Sequence, residues 1–190
     1  MNFTCLTLSK KPFQRELLPD CAYINQVQTF TSKYTLHKAR LDSIKKVTTP
    51  YFFVCDTDDP MPTELITPDK GIIYGDNYIV ENGIERVIKT GEWTSRKHIY
   101  YPQFIHKPIC NTEIAKEVIN LLPDGDYYTD HILYYCLAQC GGFTYDERLV
   151  IKWNKFKTGQ HKRKTSDILN SINWLLVNQK RLELIKLRIS

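Results

Sequence analysis

A chain of 190 residues, 42% hydrophobic and 25% charged, has the size and make-up of one globular domain that closes its core without staples. No run of about 18 apolar residues occurs, which argues against a transmembrane helix, and Met1-Asn2-Phe3-Thr4-Cys5 lacks the layout of a signal peptide, so a cytoplasmic protein is expected. The net charge of +5 is mild but uneven: Lys152 to Lys164 holds six basic residues and no acidic one, and Lys180, Arg181, Lys186 and Arg188 follow, a pattern that suits either an anionic partner or a solvated surface.

In chain order, Phe3 to Leu8 alternates and reads as a first strand, broken by Ser9-Lys10-Lys11-Pro12. Cys21 to Val27 reads as a second. Thr35 to Val47 is a helix by the spacing of Leu36, Ala39 or Arg40, Ser43, Ile44 and Val47, with Thr35 placed to cap it and Thr49-Pro50 to end it. Tyr51-Phe52-Phe53-Val54-Cys55 is a continuous apolar run, the signature of a strand buried on both faces. Asp56-Thr57-Asp58-Asp59 follows at once, and Pro60, Pro62 and Pro68 then force an extended path.

Gly71 to Tyr74 reads as another buried strand, and Tyr78-Ile79-Val80 pairs with Glu85-Arg86-Val87-Ile88 as a hairpin across Asn82-Gly83. Tyr100 to Ile105 is expected to be a strand. Asn111 to Leu122 is a helix capped by Asn111 or Thr112. Tyr128 to Cys140 is a second amphipathic helix closed by Gly141-Gly142, Phe143 to Trp153 contains a strand, and Ser166 to Leu187 is one long helix. The six cysteines are scattered without a CxxC pair, so free and mostly buried thiols are expected, with neither a zinc site nor a disulfide framework. The order of elements predicts an α/β fold in a single domain: a Rossmann-like mixed sheet flanked by helices. Its nucleotide-binding half spans 1–80, its acceptor or catalytic half 81–166, and the helix of 167–190 packs on the domain.

The chemistry concentrates at the acidic cluster. Three carboxylates within four positions repel and raise one another's pKa, and at the end of a buried strand a cation relieves that strain. Asp56 and Asp58 fall on one side if strand geometry continues. Such a pair suits Mg²⁺ or Mn²⁺, which take oxygen ligands and share their shell with phosphates. A solvated acidic turn is the plain alternative.

The apolar strand ending in Asp-x-Asp-Asp, preceded by a helix with Ala39-Arg40, resembles the family 2 glycosyltransferases of the GT-A fold. Leu41 stands where that family has Asn in its Ala-Arg-Asn helix. Ile72-Ile73-Tyr74-Gly75-Asp76 resembles the family's later strand ending in Tyr-Gly-Asp. Gly125 to Gly142 resembles its acidic helix start followed by a glycine pair, with Thr129-Asp130 in place of Glu-Asp. Trp153 to His161 resembles its closing loop with a late His.

The resemblance implies a metal-dependent, inverting transfer of a sugar from a nucleotide-diphosphate sugar, uridine diphosphate favoured, to a hydroxyl. It implies that Asp56, Thr57, Asp58 and Asp59 bind the donor diphosphate, and that Asp56 and Asp58 hold Mn²⁺ or Mg²⁺. Thr7, Leu8 and Ser9 would touch base or ribose, and Arg40 would brace the carboxylates or a phosphate. Asp130 is the candidate general base, with a helix cap as its structural alternative. His161 would ligate the metal or contact the diphosphate. Lys157, Lys162 and Arg163 would hold phosphates or acceptor. For His106-Lys107-Pro108 a structural role is the stronger expectation. The basic C-terminal third raises a DNA acceptor, a hydroxymethylated base as in viral DNA-modifying enzymes, beside a saccharide. Two rival classes are a haloacid-dehalogenase-like phosphatase, whose motif Pro60 disrupts, and a non-catalytic nucleic-acid-binding module, for which no signature is present.

Overall fold

The computed structural model describes residues 1–27, 35–57, 59–81, 83–100, 107–154 and 165–189. Parallel strands β1 (Phe3–Ser9), β2 (Cys21–Val27) and β3 (Tyr51–Val54) form one half of a six-stranded sheet. Its other half is β4 (Ile72–Tyr74), β7 (Ile109–Asn111) and β8 (Phe143–Tyr145), in the order β2-β1-β3-β7-β4-β8. Only β7 among these strands runs against the rest. β3 and β4 therefore point the same way and deliver their carboxyl ends to one edge. A second sheet joins the hairpin β5 (Asn77–Glu81) and β6 (Ile84–Ile88) to β9 (Ile151–Asn154).

Period-two alternation splits the large sheet into two different faces. Leu6, Phe52, Val54, Ile72 and Tyr74 join the core built with the helices. Phe3, Cys5, Cys21, Phe53, Cys55 and Ile73 point the other way, where Leu17, Met61, Leu65 and Ile66 from irregular segments cover them. The apolar run of β3 is thus buried on both faces, as its composition predicts, but helices supply only one of the covers.

The helical face carries α1 (Leu36–Lys45), α3 (Thr112–Ile119) and α4 (Thr129–Gly141). Thr35 caps α1 by accepting from Lys38 N, 3.2 Å, and Asn111 caps α3 by accepting from Ile114 N, 3.1 Å. α4 starts differently: Tyr128 occupies the cap position with no side-chain cap bond, so Asp130 is not a cap. α4 is buried along almost its whole length, packed between the sheet, α3, the short α2 (Ser95–Tyr100) and two C-terminal helices. Gly142 ends it at φ +77°, a conformation glycine reaches without strain.

Tyr100 belongs to α2, and residues 101–105 of the strand expected over Tyr100 to Ile105 lie outside the described residues. The strand β7 immediately precedes α3, a short element without a pattern of its own. The long C-terminal helix is two: α5 (Thr165–Val177) and α6 (Gln179–Ile189). At the break, the Asn178 side chain donates to the Trp174 carbonyl at 2.9 Å and the Gln179 side chain to the Leu175 carbonyl at 2.6 Å. The backbone bonds from Asn178 N to the Trp174 carbonyl and from Leu182 N to the Asn178 carbonyl, both 3.0 Å, are kept on either side of the break. All six cysteines are free and buried. Among the described residues, no helix is long and apolar enough to cross a membrane.

Candidate functional site

Parallel pairing of β1 with β3 brings Ser9 and the acidic cluster to one edge. The Thr7 hydroxyl donates to the Cys55 carbonyl at 2.8 Å, which ties the two strand ends together just before Asp56. Thr7 is buried and its hydroxyl is committed to that bond; Leu8 and Ser9 are half-buried. Ser9 lies 2.8 Å from the Asn25 amide, on the neighbouring β2.

Beyond β3 the chain turns, with Asp59 N donating to the Asp56 carbonyl at 3.2 Å. The Asp56 side chain is 42% exposed, while that of Asp59 is buried. Thr57 is exposed. Asp58 lies outside the described residues, as do Lys157, His161, Lys162, Arg163 and His106.

Arg40, on the buried face of α1, joins two parts of the molecule. One guanidinium nitrogen, Nη2, donates to Asp56 Oδ1 at 3.2 Å, and the other, Nη1, pairs with Asp130 Oδ1 at the start of α4. Arg40 and Asp130 are 90 positions apart and both buried. A planar fork holds two carboxylates from separate elements at fixed angles, which a lysine would not. His37, one turn earlier on α1, supports the same junction: Nδ1 lies 3.0 Å from Thr129 Oγ1 and Nε2 lies 3.0 Å from the Pro123 carbonyl. Burial lowers its pKa below the usual imidazole value.

Two further cations belong to the site. Lys107 is buried, pairs with Asp59, and lies 4.0 Å from Asp56 Oδ2. Its backbone sits at φ +47°, although the residue before a proline is normally extended. Arg15 holds the turn from the loop side, with Nη2 donating to the Asp56 carbonyl at 2.6 Å and Nη1 to the Asp59 carbonyl at 3.3 Å. The same Nη1 lies 2.7 Å from Cys55 Sγ. A hydrogen bond from Cys5, with the nearby charges of Lys107 and Arg15, brings the Cys55 thiol down to about 7 against the opposing effect of burial.

Arg40, Asp56, Asp59 and Asp130, all candidate site residues by sequence, converge here. Arg15 has no sequence signal, and Lys107 reads as structural. A lysine before Pro108 and an arginine in a polar loop carry no local pattern; their roles come from contacts about 40 to 50 positions away.

The charge balance bears on metal binding. Asp56, Asp59 and Asp130 pair with Arg40 and Lys107, while Arg15 adds a third positive charge on the backbone carbonyls of the same turn. Among the described residues, no three His, Cys, Asp or Glu side chains gather as a metal-binding group. Among the described acids of the site, Asp56 is the one with a half-exposed carboxylate, the kind of oxygen ligand a hard cation takes. Mg²⁺ binds through one or two carboxylates together with phosphate oxygens, and needs no complete protein cage.

No family model matches the chain, and no curated protein matches it in sequence.

Proposed function

We propose that this protein is a nucleotide-sugar-dependent glycosyltransferase, in which Asp56 and Asp58 hold Mn²⁺ or Mg²⁺ and the metal binds the donor diphosphate. The observation that carries this reading is Arg40, which ties a half-exposed carboxylate at the carboxyl end of β3 to a buried one at the start of α4. In open α/β sheets ligands bind beyond the carboxyl ends of the strands, and here that edge holds acids from two elements fixed by one guanidinium. The motif resemblance to family 2 glycosyltransferases supports the same assignment.

When bound, the cation neutralises charge developing on the departing diphosphate. The protein's own groups do the rest. Arg40 fixes the angle between Asp56 and Asp130. Arg15 and Lys107 hold the turn that presents Asp56. Asp130 serves as the base that takes the acceptor's hydroxyl proton, at the opposite end of the Arg40 fork from the donor turn. His161, Lys157, Lys162 and Arg163 are assigned to the diphosphate and acceptor from the sequence alone.

A screen of nucleotide sugars with Mn²⁺, scored by released nucleoside diphosphate, tests the reading. Hydroxymethylated DNA, plain DNA and oligosaccharides are the acceptor arms. Mn²⁺-dependent release lost by about 100-fold or more in Asp58→Ala is expected, since removing a group that stabilises transition-state charge typically has that effect. Activity that ignores both Mn²⁺ and Asp58 contradicts it. Phosphate release from simple phosphomonoesters, abolished by Asp56→Asn, would favour the phosphatase class instead.

A further inference from the structure

The two sides of α6 have opposite chemistry. Leu182 and Ile185 are buried, and the Cys140 thiol of α4 reaches the Leu182 carbonyl at 3.6 Å, so this side is fixed to the domain. On the other side Leu184 is 64% exposed and Leu187 is 75% exposed. They are three positions apart and so adjacent on the helix surface. Lys180 and Arg181 lie one turn before Leu184, and Arg188 one turn after it; all three are exposed, as is Lys186. Glu183 is the one acidic residue of the helix. Just before it, α5 ends on Leu176 and Val177, both exposed.

We propose that α6 docks the protein, lying in plane, on a membrane surface rich in anionic lipid headgroups. Exposed leucines inserted at the boundary between headgroups and acyl chains, with flanking lysine and arginine on headgroup phosphates, are the chemistry of an interfacial helix. A second copy of this chain fits less well, because an isologous pairing through this face would bring Lys180, Arg181 and Arg188 against cations of their own kind. A nucleic acid would be served by the cations but has no use for Leu184 and Leu187. The inference goes beyond the transferase reading and stands without it.

The test is flotation of the full chain with phosphatidylcholine vesicles and with vesicles that also contain phosphatidylglycerol. Binding to the mixed vesicles about tenfold or more above that to phosphatidylcholine alone is expected at low salt. Leu184→Ser with Leu187→Ser should lower it by about tenfold, with thermal stability unchanged because both side chains already face solvent. Lys180→Glu with Arg181→Glu should do the same. Three results overturn the proposal. One is absence of binding to the mixed vesicles. Another is a dimer, seen by sedimentation, that the double serine variant converts to monomer. The last is DNA binding that the leucine substitutions leave intact while the vesicles bind nothing.

Discussion

Two aspartates leave parallel strands at the same edge of the sheet, Asp56 after β3 and Asp76 after β4, and their surroundings are opposite. Asp76 has a side chain only 4% exposed. It accepts from Lys89 Nζ at 2.6 Å, Thr90 N at 3.0 Å and the Tyr145 hydroxyl at 2.9 Å. Three donors close it into the joint between the two sheets. Gly75 beside it has no room for a side chain, since a Cβ would lie 2.0 Å from the Leu149 carbonyl oxygen. Asp56 is 42% exposed and shares its cations with Asp59 and Asp130. The same residue type at the same topological position is thus a structural joint in one case and an open carboxylate in the other. Burial and donors make the difference, and the motif letters do not.

The largest expected effect comes from breaking the open cluster at its centre. Arg40→Met leaves the buried Asp130 without its cation, and removal of one partner from a buried pair costs about 3–5 kcal/mol. Urea unfolding measures this, and adding Asp130→Asn to Arg40→Met should restore much of the loss. An Arg40→Met variant as stable as the parent contradicts the arrangement. Next comes the closed cluster. Asp76→Asn should cost about 1–3 kcal/mol, as a buried acceptor loses charge-assisted bonds, while metal-dependent nucleotide binding persists.

Acid separates the two clusters. Burial lowers the pKa of His37, on the helix that carries Arg40, below its ordinary 6.5, and burial with the neighbouring His131 does the same to His98 on α2, which bonds Trp93 in the core. The unfolded chain takes up those protons near 6.5 and the folded chain does not. Stability therefore falls as pH drops below about 6.5, down to the lowered folded values, by about 1.4 kcal/mol per pH unit for each proton. Asp76 behaves otherwise. Burial pushes its pKa up, but the bonds from Lys89, Thr90 and Tyr145 outweigh that and hold it below 3.8. Its contribution is present above about 3.8 and is lost only as pH falls through the lower folded value. Unfolding midpoints between pH 7 and 3 check the order; replacing His37 and His98 by Gln should flatten the first decline and leave the second. The smallest effect is that of Asp56→Asn on stability, within about 1 kcal/mol, because pairs involving half-exposed charges contribute little.

The contrast also marks what the chain reveals when read alone. β1, β2, β3 and the hairpin are legible because alternation, or an unbroken apolar run, is a local signal that packing reinforces. Thr35 and Asn111 are legible as caps for the same reason. The Asp-x-Asp-Asp cluster stands out because three carboxylates after five apolar residues are costly without compensation. The nature of that compensation is not local: Arg40 and Lys107 reach the carboxylates, and Arg15 the carbonyls of their turn, from three separate segments. Asp130 looks like a cap in sequence because it opens a helix, yet Arg40 claims its carboxylate. β7 is a three-residue strand held by neighbours on both sides, with no periodicity to announce it. The break at Asn178 carries no apolar signal, because Leu175 before it and Leu182 after it, seven positions apart, are both buried as they would be in one continuous helix.

The most direct test of the open carboxylate is calorimetric titration of uridine diphosphate with Mn²⁺ into the parent protein, Asp56→Asn, Asp58→Ala and Asp76→Asn. Saturable, metal-dependent binding by an open carboxylate cluster is expected in the parent and in Asp76→Asn, and its loss in both acidic-cluster variants. Binding that survives without Mn²⁺ or without both acids, or that fails with Asp76→Asn alone, contradicts it.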